Sequence, residues 1–338
     1  MISDLIPSED GAVLGLVGTA KNSGKTTVLN WILEQLSNQN RCAGLVSIGF
    51  DGETRDFWLG VAKPAVHVSK GTWIASAERS LSTGTAPITI HKRTGIKTPL
   101  GEVVIAKATA AGTTVLAGMR HRRDVINVCK QLQQAGADIT IVDGAYHRRA
   151  LAHPALTDSI IVATGAVLAG TPNRVASDTA NAIAQLSLEA VASPEEKRLL
   201  AQAIAEKSPM RQNRDETIQP LDCGALQLDA SNGKERLGDA KYLAVPGVAS
   251  DALVDALCAC ESPPTLLLPN ATHLVLKNKT WTRLKSLGGR VLVGQTIRIR
   301  AITVNPCGIR HDDHDPIALL EAVKRHCPTI PVYNVIDP

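Results

Sequence analysis

Aromatic residues are scarce in this chain of 338 residues, where they make up only 3% of the sequence. Proteins that bind single-stranded nucleic acid stack bases on aromatic side chains, and sugar-binding clefts also use stacked rings, so both classes have little support. The chain also lacks a large excess of either charge, because 36 Lys and Arg against 32 Asp and Glu leave a net charge of +4. So small an excess argues against obligate binding to DNA or RNA.

Cysteine is sparse, and seven scattered cysteines do not form the paired framework of a disulfide-stabilised secreted domain. A reducing, cytoplasmic compartment is therefore expected. Residues 1–10 lack a basic segment, and the apolar run that follows is interrupted by Gly11, Gly15 and Gly18. Neither a signal peptide nor a membrane-spanning helix is predicted, and no membrane partner is expected.

The order of apolar runs predicts an α/β fold. A buried strand at residues 11–18 precedes a glycine-rich loop, and the helix after it has apolar residues at helical spacing. Further apolar strands are predicted at 43–48, 138–145 and 160–166. Strands that alternate with helices in this way indicate a mostly parallel, doubly wound sheet.

The strongest motif, Gly24-Lys25-Thr26, lies at the junction of the first strand and its helix. A phosphate-binding loop needs backbone N–H groups curled around the anion, a helix N-terminus that points at it, and a lysine for the terminal phosphates. Thr26 would place its hydroxyl on Mg²⁺. The spacing departs from the usual G-x-x-x-x-G-K-[ST], because Thr19 stands where the first glycine belongs and Gly18 comes one residue earlier.

Ten consecutive loop residues are therefore predicted to bind nucleotide: Gly18, Thr19, Ala20, Lys21, Asn22, Ser23, Gly24, Lys25, Thr26 and Thr27. The alternative is a glycine-rich turn that caps a helix and carries an incidental lysine. Lys21 either reaches phosphate charge, in its own subunit or in the neighbouring subunit of a homodimer, or faces solvent.

Asp143 follows the apolar run Ile139-Thr-Ile-Val142. A carboxylate at the carboxyl edge of a strand beside a phosphate loop can hold Mg²⁺ through water, so Asp143 and Thr26 are the predicted magnesium ligands. Gly144 would let the following loop approach the γ-phosphate. The alternative role for Asp143 is that of a turn residue or a cap.

Asp51 and Glu53 complete the predicted catalytic group, with Lys25 and Asp143. Because they stand two residues apart, both carboxylates project to the same side of an extended loop. There they would orient the attacking water or share the Mg²⁺ shell. Solvated loop acids are the alternative.

Adenine is the favoured base, and ATP with Mg²⁺ the expected ligand. Guanine-binding GTPases carry Asn-Lys-x-Asp, and the nearest match, Asn278-Lys-Thr-Trp281, lacks the aspartate that would pair with guanine. Asn305, at the end of the apolar run 301–304, is predicted to contact the base. His311 and His314 are metal-ligand types, but Asp315 before Pro316 has the pattern of a helix N-cap followed by a first-turn proline.

These motifs divide the chain into parts. Residues 10–190 are expected to form the nucleotide-binding domain, within which 54–118 form a β-rich insertion, since β-prone runs there alternate with Gly, Pro and Thr turn signals. Residues 191–216 are expected to be a helical linker. Residues 217–338 alternate between strand and helix patterns and are expected to form a C-terminal α/β unit.

The loop resembles those of known families. Gly18-Thr19 followed by Gly24-Lys25-Thr26 has the same spacing as the phosphate loop of dethiobiotin synthetase, within the P-loop proteins that include metallochaperone GTPases and dimeric ATPases. The run from Asn22 to Thr27 is similar to the loop of the molybdopterin-guanine dinucleotide accessory protein. These resemblances imply a P-loop nucleoside triphosphatase.

A longer resemblance is to the P-loop subunit of the lysine 5,6-aminomutase reactivase. The residues that carry it are Gly18 to Thr27, Asp51-Gly-Glu53, Lys63-Pro64, Gly71-Thr72, Thr94 to Glu102, Asp143-Gly-Ala145, Arg148-Arg149, Thr164-Gly-Ala166 and Thr303 to Pro306. The resemblance implies ATP-driven release of damaged cobalamin from an adenosylcobalamin-dependent aminomutase. It also implies a second ATPase subunit as a partner.

Three functions are therefore open at the level of sequence. The first is an ATP-dependent reactivating chaperone whose hydrolysis switches its affinity for a client enzyme. The second is a small-molecule ligase or kinase of the dethiobiotin-synthetase type, with a carboxylate bound under the β-rich insertion. The third is a nucleotide-dependent protein that delivers a metal or cofactor, with His311 and His314 as ligands.

Overall fold

The computed structural model describes residues 5–49, 65–144, 149–308 and 313–335. Among these residues, helices with the length and apolar character needed to cross a bilayer are not found. All seven cysteines lie in the described ranges and carry free thiols. The described chain forms two compact units, one that ends at Thr179 and resumes at Arg298, and one that comprises Ala180–Ile297.

The strands of the described chain are β1 (Ala12–Gly18), β2 (Ala43–Ile48), β3 (Val66–Val68), β4 (Trp73–Ala77), β5 (Ile88–Thr98), β6 (Gly101–Ala108), β7 (Gly112–Thr114), β8 (Ile139–Gly144), β9 (Ser159–Gly165), β10 (Glu189–Ala190), β11 (Met210–Asn213), β12 (Ile218–Pro220), β13 (Ala240–Ala244), β14 (Ala249–Ser250), β15 (Thr265–Asn270), β16 (Leu274–Val275), β17 (Val291–Gln295), β18 (Ile299–Asn305) and β19 (Val332–Asn334). The helices are α1 (Lys25–Asn38), α2 (Glu78–Leu81), α3 (Arg122–Gln134), α4 (Pro172–Leu186), α5 (Pro194–Glu206), α6 (Gly233–Leu237), α7 (Asp251–Cys258), α8 (Asn278–Ser286) and α9 (Pro316–His326).

The first unit is built on a nine-stranded sheet with the order β19-β18-β9-β1-β8-β2-β4-β6-β5. The strands from β19 to β4 run parallel, and β6 and β5 are antiparallel at one edge. The predicted α/β class with a mostly parallel sheet is therefore confirmed. Continuous apolar sequences such as that of β2, which is buried along its whole length, suit a sheet covered on both faces.

Helices cover the two faces of this sheet. On one face, Leu29 and Ile32 of α1 join Leu14 of β1 and Leu45 of β2 in the main apolar cluster. On the other face, Cβ of Leu132 in α3 lies 3.3 Å from the position of a Cβ built on Gly44. Because neighbouring strand residues point to opposite faces, α1 and α3 lie on opposite sides of β2.

The expected β-rich insertion continues the same sheet in its described part. β4 pairs in parallel with β2, and β6 and β5 add antiparallel strands outside it. Residues 54–64 of this segment lie outside the described residues. The small sheet of β3 and β7 packs beside α1, with which β3 is in contact.

The division of the chain differs from the expected boundaries. β18 and β19 belong to the nine-stranded sheet, since Ile302 pairs with Val162 of β9 and with Val332. Residues from 298 onward are thus part of the first unit and not of a C-terminal unit. Residues 301–304 are buried in the sheet, where β18 pairs with β9, a strand more than 130 residues earlier in the chain. A pattern of neighbouring residues does not reveal such a partner.

The segment expected as a linker belongs to the second unit. β11 pairs antiparallel with β13 in a six-stranded sheet of order β10-β17-β15-β13-β11-β12. Leu199 and Leu200 of α5 are buried in the core of this unit with Met210, Leu267 and Leu292. Residues 191–216 therefore fold as part of a sheet and its helical layer.

Candidate functional site

The loop between β1 and α1 lies where the strand order of the first sheet reverses. The chain leaves β1 toward β2 on one side, whereas it leaves β9, the other neighbour of β1, toward β18 on the opposite side. Connections that diverge in this way open a crevice at the carboxyl ends of the strands, where open α/β sheets bind their ligands.

The backbone of the loop leads directly into α1. Asn22 and Gly24 have left-handed φ angles of 63° and 95°, and Gly24 occupies the N-cap position. No side chain caps α1, and its first turn holds no acidic residue. The first N–H groups of α1 therefore lack the side-chain acceptor that usually satisfies them, and the positive end of the helix dipole points at the loop.

Two polar side chains converge on the inner side of this loop. The point where a Cβ of Gly18 would lie is 2.6 Å from Ser23 Oγ and 3.1 Å from Lys25 Nζ. Ser23 is only 1% exposed, yet its hydroxyl has no hydrogen-bond partner among the described residues. The ammonium group of Lys25 likewise has no hydrogen bond or ion pair with the described part of the chain. A buried hydroxyl and an ammonium group of this kind are suited to an anion.

Thr19 is held by β9 and not by its own loop. Its N–H donates to Ala163 O at 2.9 Å, and its hydroxyl lies 3.1 Å from Thr164 Oγ1. Thr164 Oγ1 lies 2.7 Å from Thr179 Oγ1 of α4. The residue that replaces the usual first glycine is thus anchored through its side chain.

Asp143 lies on the strand next to β1, opposite Leu16. Ile139 and Ile141 of the same strand pack in the cluster that includes α1, so by alternation Asp143 faces the α1 side of the sheet. Its Oδ1 accepts a hydrogen bond from the N–H of Gly144 at 2.9 Å. The two predicted magnesium ligands thus belong to elements that meet at the carboxyl edge on one face.

Asn305 lies at the carboxyl end of β18, next to the loop between β1 and α1. Its Cβ is 2.9 Å from the positions of Cβ atoms built on Gly24 and on Gly165, so only glycine fits at either place without a shift. Its Oδ1 accepts a hydrogen bond from the N–H of Cys307 at 3.1 Å. The structure therefore brings the predicted base-contacting residue to the loop, although 281 positions separate Asn305 from Gly24.

The remaining residues of the loop differ in their exposure to solvent. Ala20 is buried, whereas Lys21, Thr26 and Thr27 are partly exposed. Outside the described residues lie Asp51, Glu53 and His311. Their predicted roles stay predictions.

His314 is engaged in the fold of the first unit. Its Nε2 lies 2.9 Å from Ala169 O, and the side chain is 9% exposed. Asp315 caps α9 by accepting from the N–H of Ala318 at 2.6 Å, and Pro316 is the first helical residue, as predicted. The described ranges contain no group of three His, Cys, Asp or Glu side chains placed to hold a metal ion.

A cleft of about 630 Å³ runs along the outer face of α1, beginning at Thr27. Its opposite wall is formed by β3 and β7, and Asn30 joins the two walls by donating to Ala65 O and accepting from the N–H of His67. Its volume is in the range of small-molecule sites. Trp31, Glu34, Ser69 and Thr113 also line it.

The sequence carries no signal for two features of this site. Thr179 lies in the middle of a helical pattern, and the cleft depends on residues of α1, β3 and β7 that are far apart in the chain.

No model of a protein family, no curated protein and no solved structure matches the chain.

Proposed function

We propose that the first unit binds ATP with Mg²⁺ at the loop of residues 18–27 and hydrolyses it. The observation that carries this proposal is the convergence of Ser23 Oγ and Lys25 Nζ on the inner side of Gly18, at an α1 N-terminus without a side-chain cap. Backbone N–H groups, the helix dipole and a lysine ammonium are the groups that bind phosphate in proteins. ATP is preferred to GTP because the guanine-reading motif is absent from the sequence.

Thr26 and Asp143 are the proposed ligands of Mg²⁺. Both offer oxygen atoms, which this ion prefers, and Mg²⁺ is commonly bound by one or two protein groups together with phosphates and water. A site of that kind needs no cluster of three acidic side chains. The ion would neutralise charge on the β- and γ-phosphates, and Lys25 would pair with the terminal phosphates. Asp51 and Glu53 are proposed to orient the attacking water.

The test compares Lys25→Ala with Lys279→Ala in binding of MgATP by calorimetry and in release of phosphate. Lys279 also lies in the first turn of a helix, α8, but in the second unit. We expect wild type and Lys279→Ala to bind and hydrolyse ATP, and Lys25→Ala to lose most of both activities. Full activity of Lys25→Ala would contradict the proposal, as would a wild-type protein that binds neither ATP nor GTP.

Within this function, we propose a role as the ATPase subunit of a reactivating chaperone. The support is the resemblance to the reactivase of lysine 5,6-aminomutase, whose motifs extend over most of the chain. Hydrolysis would switch the affinity for an adenosylcobalamin-dependent aminomutase and promote release of damaged cobalamin, together with a second ATPase subunit. The near-neutral net charge is compatible with a protein client.

A pull-down with MgATP tests this role. The tagged chain should capture a purified adenosylcobalamin-dependent aminomutase or a second ATPase subunit, and the Lys25→Ala variant should not respond to ATP. Hydrolysis that the aminomutase accelerates would be a second supporting result. An ATPase that neither binds nor responds to that enzyme would contradict the chaperone role and leave the nucleotide site intact.

The cleft beside α1 favours a second candidate, a small-molecule ligase or kinase. It begins at Thr27 of the proposed phosphate loop, and its far wall comes from residues 67–69 and 111–113, within the segment expected to cover a substrate. ATP would then phosphorylate a carboxylate held in the cleft. Formation of ADP that depends on an added carboxylic acid, with no protein partner, would support this candidate.

A further inference from the structure

Three threonine hydroxyls connect the proposed phosphate loop to the interior of the first unit. The hydroxyl of Thr19 lies 3.1 Å from Thr164 Oγ1 and 3.3 Å from Ala163 O, both on β9, and Thr164 Oγ1 lies 2.7 Å from Thr179 Oγ1. Thr164 and Thr179 are both fully buried, with 0% exposure. The three residues come from the loop, from β9 and from α4, so the contact joins three elements that are distant in sequence.

Burial raises the free-energy cost of breaking these contacts. A buried hydroxyl without a partner loses its hydrogen bonds to water, so the arrangement in which all three hydroxyls are paired is favoured over any displaced one. If the Thr19 hydroxyl donates to Thr164 Oγ1, the Thr164 hydroxyl can donate to Thr179 Oγ1. Displacing Thr19 would then break this series of hydrogen bonds, so the series favours one position of Thr19. The N–H of Thr19, bound to Ala163 O at 2.9 Å, fixes the same residue through its backbone.

Another buried threonine of the same sheet shows that burial alone does not create such an anchor. Thr140 of β8 is also 0% exposed, but its hydroxyl has no hydrogen-bond partner among the described residues. It lies on the other neighbour of β1, opposite Val13, and away from the loop. Thr140 is therefore a control of the same residue type, burial and strand environment.

We propose that Thr164 and Thr179 are positioning residues for the phosphate loop and act through Thr19. This inference rests on the proposed function, because it concerns how the loop is held for phosphate. The hydroxyl series sets where the loop begins after β1, so the N–H groups that follow reach the anion without prior rearrangement. It also accounts for the departure from the usual motif, since a glycine at position 19 has no side chain that could reach β9.

The experiment measures the affinity for MgATP in Thr164→Val and Thr179→Val, with Thr140→Val as the control. Valine keeps the branched shape of threonine and has a methyl group in place of the hydroxyl. Because one hydrogen bond is worth roughly 1 kcal/mol, we expect affinity to fall about three- to tenfold in the first two variants and by less than about twofold in the control. Thr164→Ser should restore wild-type affinity, since serine keeps the hydroxyl.

Two further readouts separate positioning from a general loss of stability. In the double variant Thr19→Val with Thr164→Val, the second substitution should add little, because Thr164 acts through Thr19. Amide hydrogen exchange of residues 19–24, measured without nucleotide, should be faster in Thr164→Val than in Thr140→Val. Additive losses, equal affinities of Thr164→Val and Thr140→Val, or no rescue by serine would overturn the inference.

The outcomes also distinguish this inference from the function on which it rests. If wild type binds MgATP and the valine variants bind it equally well, only the positioning role fails. If wild type binds no nucleotide, the proposed function fails, and the exchange rates of the loop then decide whether the hydroxyls hold it at all.

Discussion

Asn305 and Gly24 are in such close contact that the Cβ of Asn305 lies 2.9 Å from where a Cβ on Gly24 would be. Gly24 also has a φ of 95°, in the left-handed region that side chains other than hydrogen disfavour. The start of α1 and the end of β18 are therefore fitted to each other. Any side chain at position 24 must push the loop away from β18 or distort the first turn of the helix.

Gly24→Ala should destabilise the protein and also abolish tight binding of MgATP. The left-handed backbone costs alanine about 1–2 kcal/mol, and the contact with Asn305 adds to this cost. Gly11→Ala is the control, because Gly11 has a φ of 79° but no atom within 4 Å of the point where a Cβ would lie. Thermal unfolding should detect a loss in both variants, whereas calorimetry should detect lost affinity in Gly24→Ala alone. Equal affinities would show that the contact does not shape the loop.

Ser23→Ala should lower the affinity for MgATP without lowering the stability of the protein in the absence of ligand. The Ser23 hydroxyl is buried and unpartnered in the described residues, so its removal breaks no protein hydrogen bond and relieves an unsatisfied group. We expect an unchanged or slightly higher Tm without ligand, and an affinity for MgATP reduced by about tenfold if the hydroxyl binds phosphate.

Ser76→Ala should show the reverse behaviour. The Ser76 hydroxyl is fully buried and pairs with the backbone, accepting from the N–H of Ala117 at 2.8 Å. Its removal leaves buried backbone groups unpaired, so the Tm should fall while affinity for MgATP stays the same. A lower Tm in Ser23→Ala would contradict the assignment of its hydroxyl to a ligand.

Asp143→Asn should reduce the response of ATP hydrolysis to Mg²⁺. Asp143 is proposed to hold Mg²⁺ through water, and removing the negative charge of such an outer-shell partner commonly lowers metal affinity by about ten- to 100-fold. Asp138→Asn is the control, since Asp138 precedes the opposite end of β8 and accepts a hydrogen bond from the N–H of Cys42 at 2.6 Å. Titration of Mg²⁺ at fixed ATP measures the effect. Identical titration curves for the two variants would contradict the proposed binding of Mg²⁺ by Asp143.

The second unit should lose stability in acid through Glu196. Burial acts to raise the pKa of Glu196, but hydrogen bonds from the N–H groups of Ala192 and Ser193 and from the Ser193 hydroxyl outweigh it and hold the pKa below the usual 4.5. A carboxyl group with a lowered pKa in the folded state stabilises the protein above its unfolded value. That contribution is therefore complete above about pH 4.5 and disappears as the pH falls through the lowered pKa.

Glu196→Gln should remove this part of the acid dependence, because glutamine keeps the capping geometry without titrating. Hydrogen exchange of the α5 amides, followed from about pH 7 down to about pH 2 with each rate corrected for intrinsic exchange, is the measurement. Glu206→Gln, at the other end of α5, should keep the acid dependence of wild type. The same acid dependence in Glu196→Gln would show that the cap does not titrate in this range.

Local features of this chain are predictable from sequence because they depend on neighbouring residues. The apolar run of β1, the glycines of the loop and the apolar spacing of α1 lie within one stretch of 27 residues, and each states its own backbone preference. The cap of α9 is equally local, since Asp315 and Pro316 stand at the positions where helices begin. Local pattern is sufficient for a strand, a loop and a helix in this order.

Pairings between distant strands decide the rest. The apolar run 301–304 predicts a strand, but only the pairing of β18 with β9 places Asn305 against Gly24. The contact of Thr19 with Thr164 likewise needs β9 beside β1, across 145 residues of sequence. An apolar strand sequence indicates that both faces of the strand are buried, but many different neighbouring strands and helices could bury them.

The amino-acid sequence by itself therefore determined the class of fold and the residues of the proposed phosphate loop, since both follow from local periodicity and backbone preference. Only the tertiary structure decided that β18 and β19 complete the first sheet, that the side chain of Asn305 packs against Gly24, and that the hydroxyl of Thr19 contacts the buried Thr164, which in turn contacts Thr179. The physical reason is that hydrogen bonds and van der Waals contacts between distant segments depend on how the whole chain buries its apolar surface.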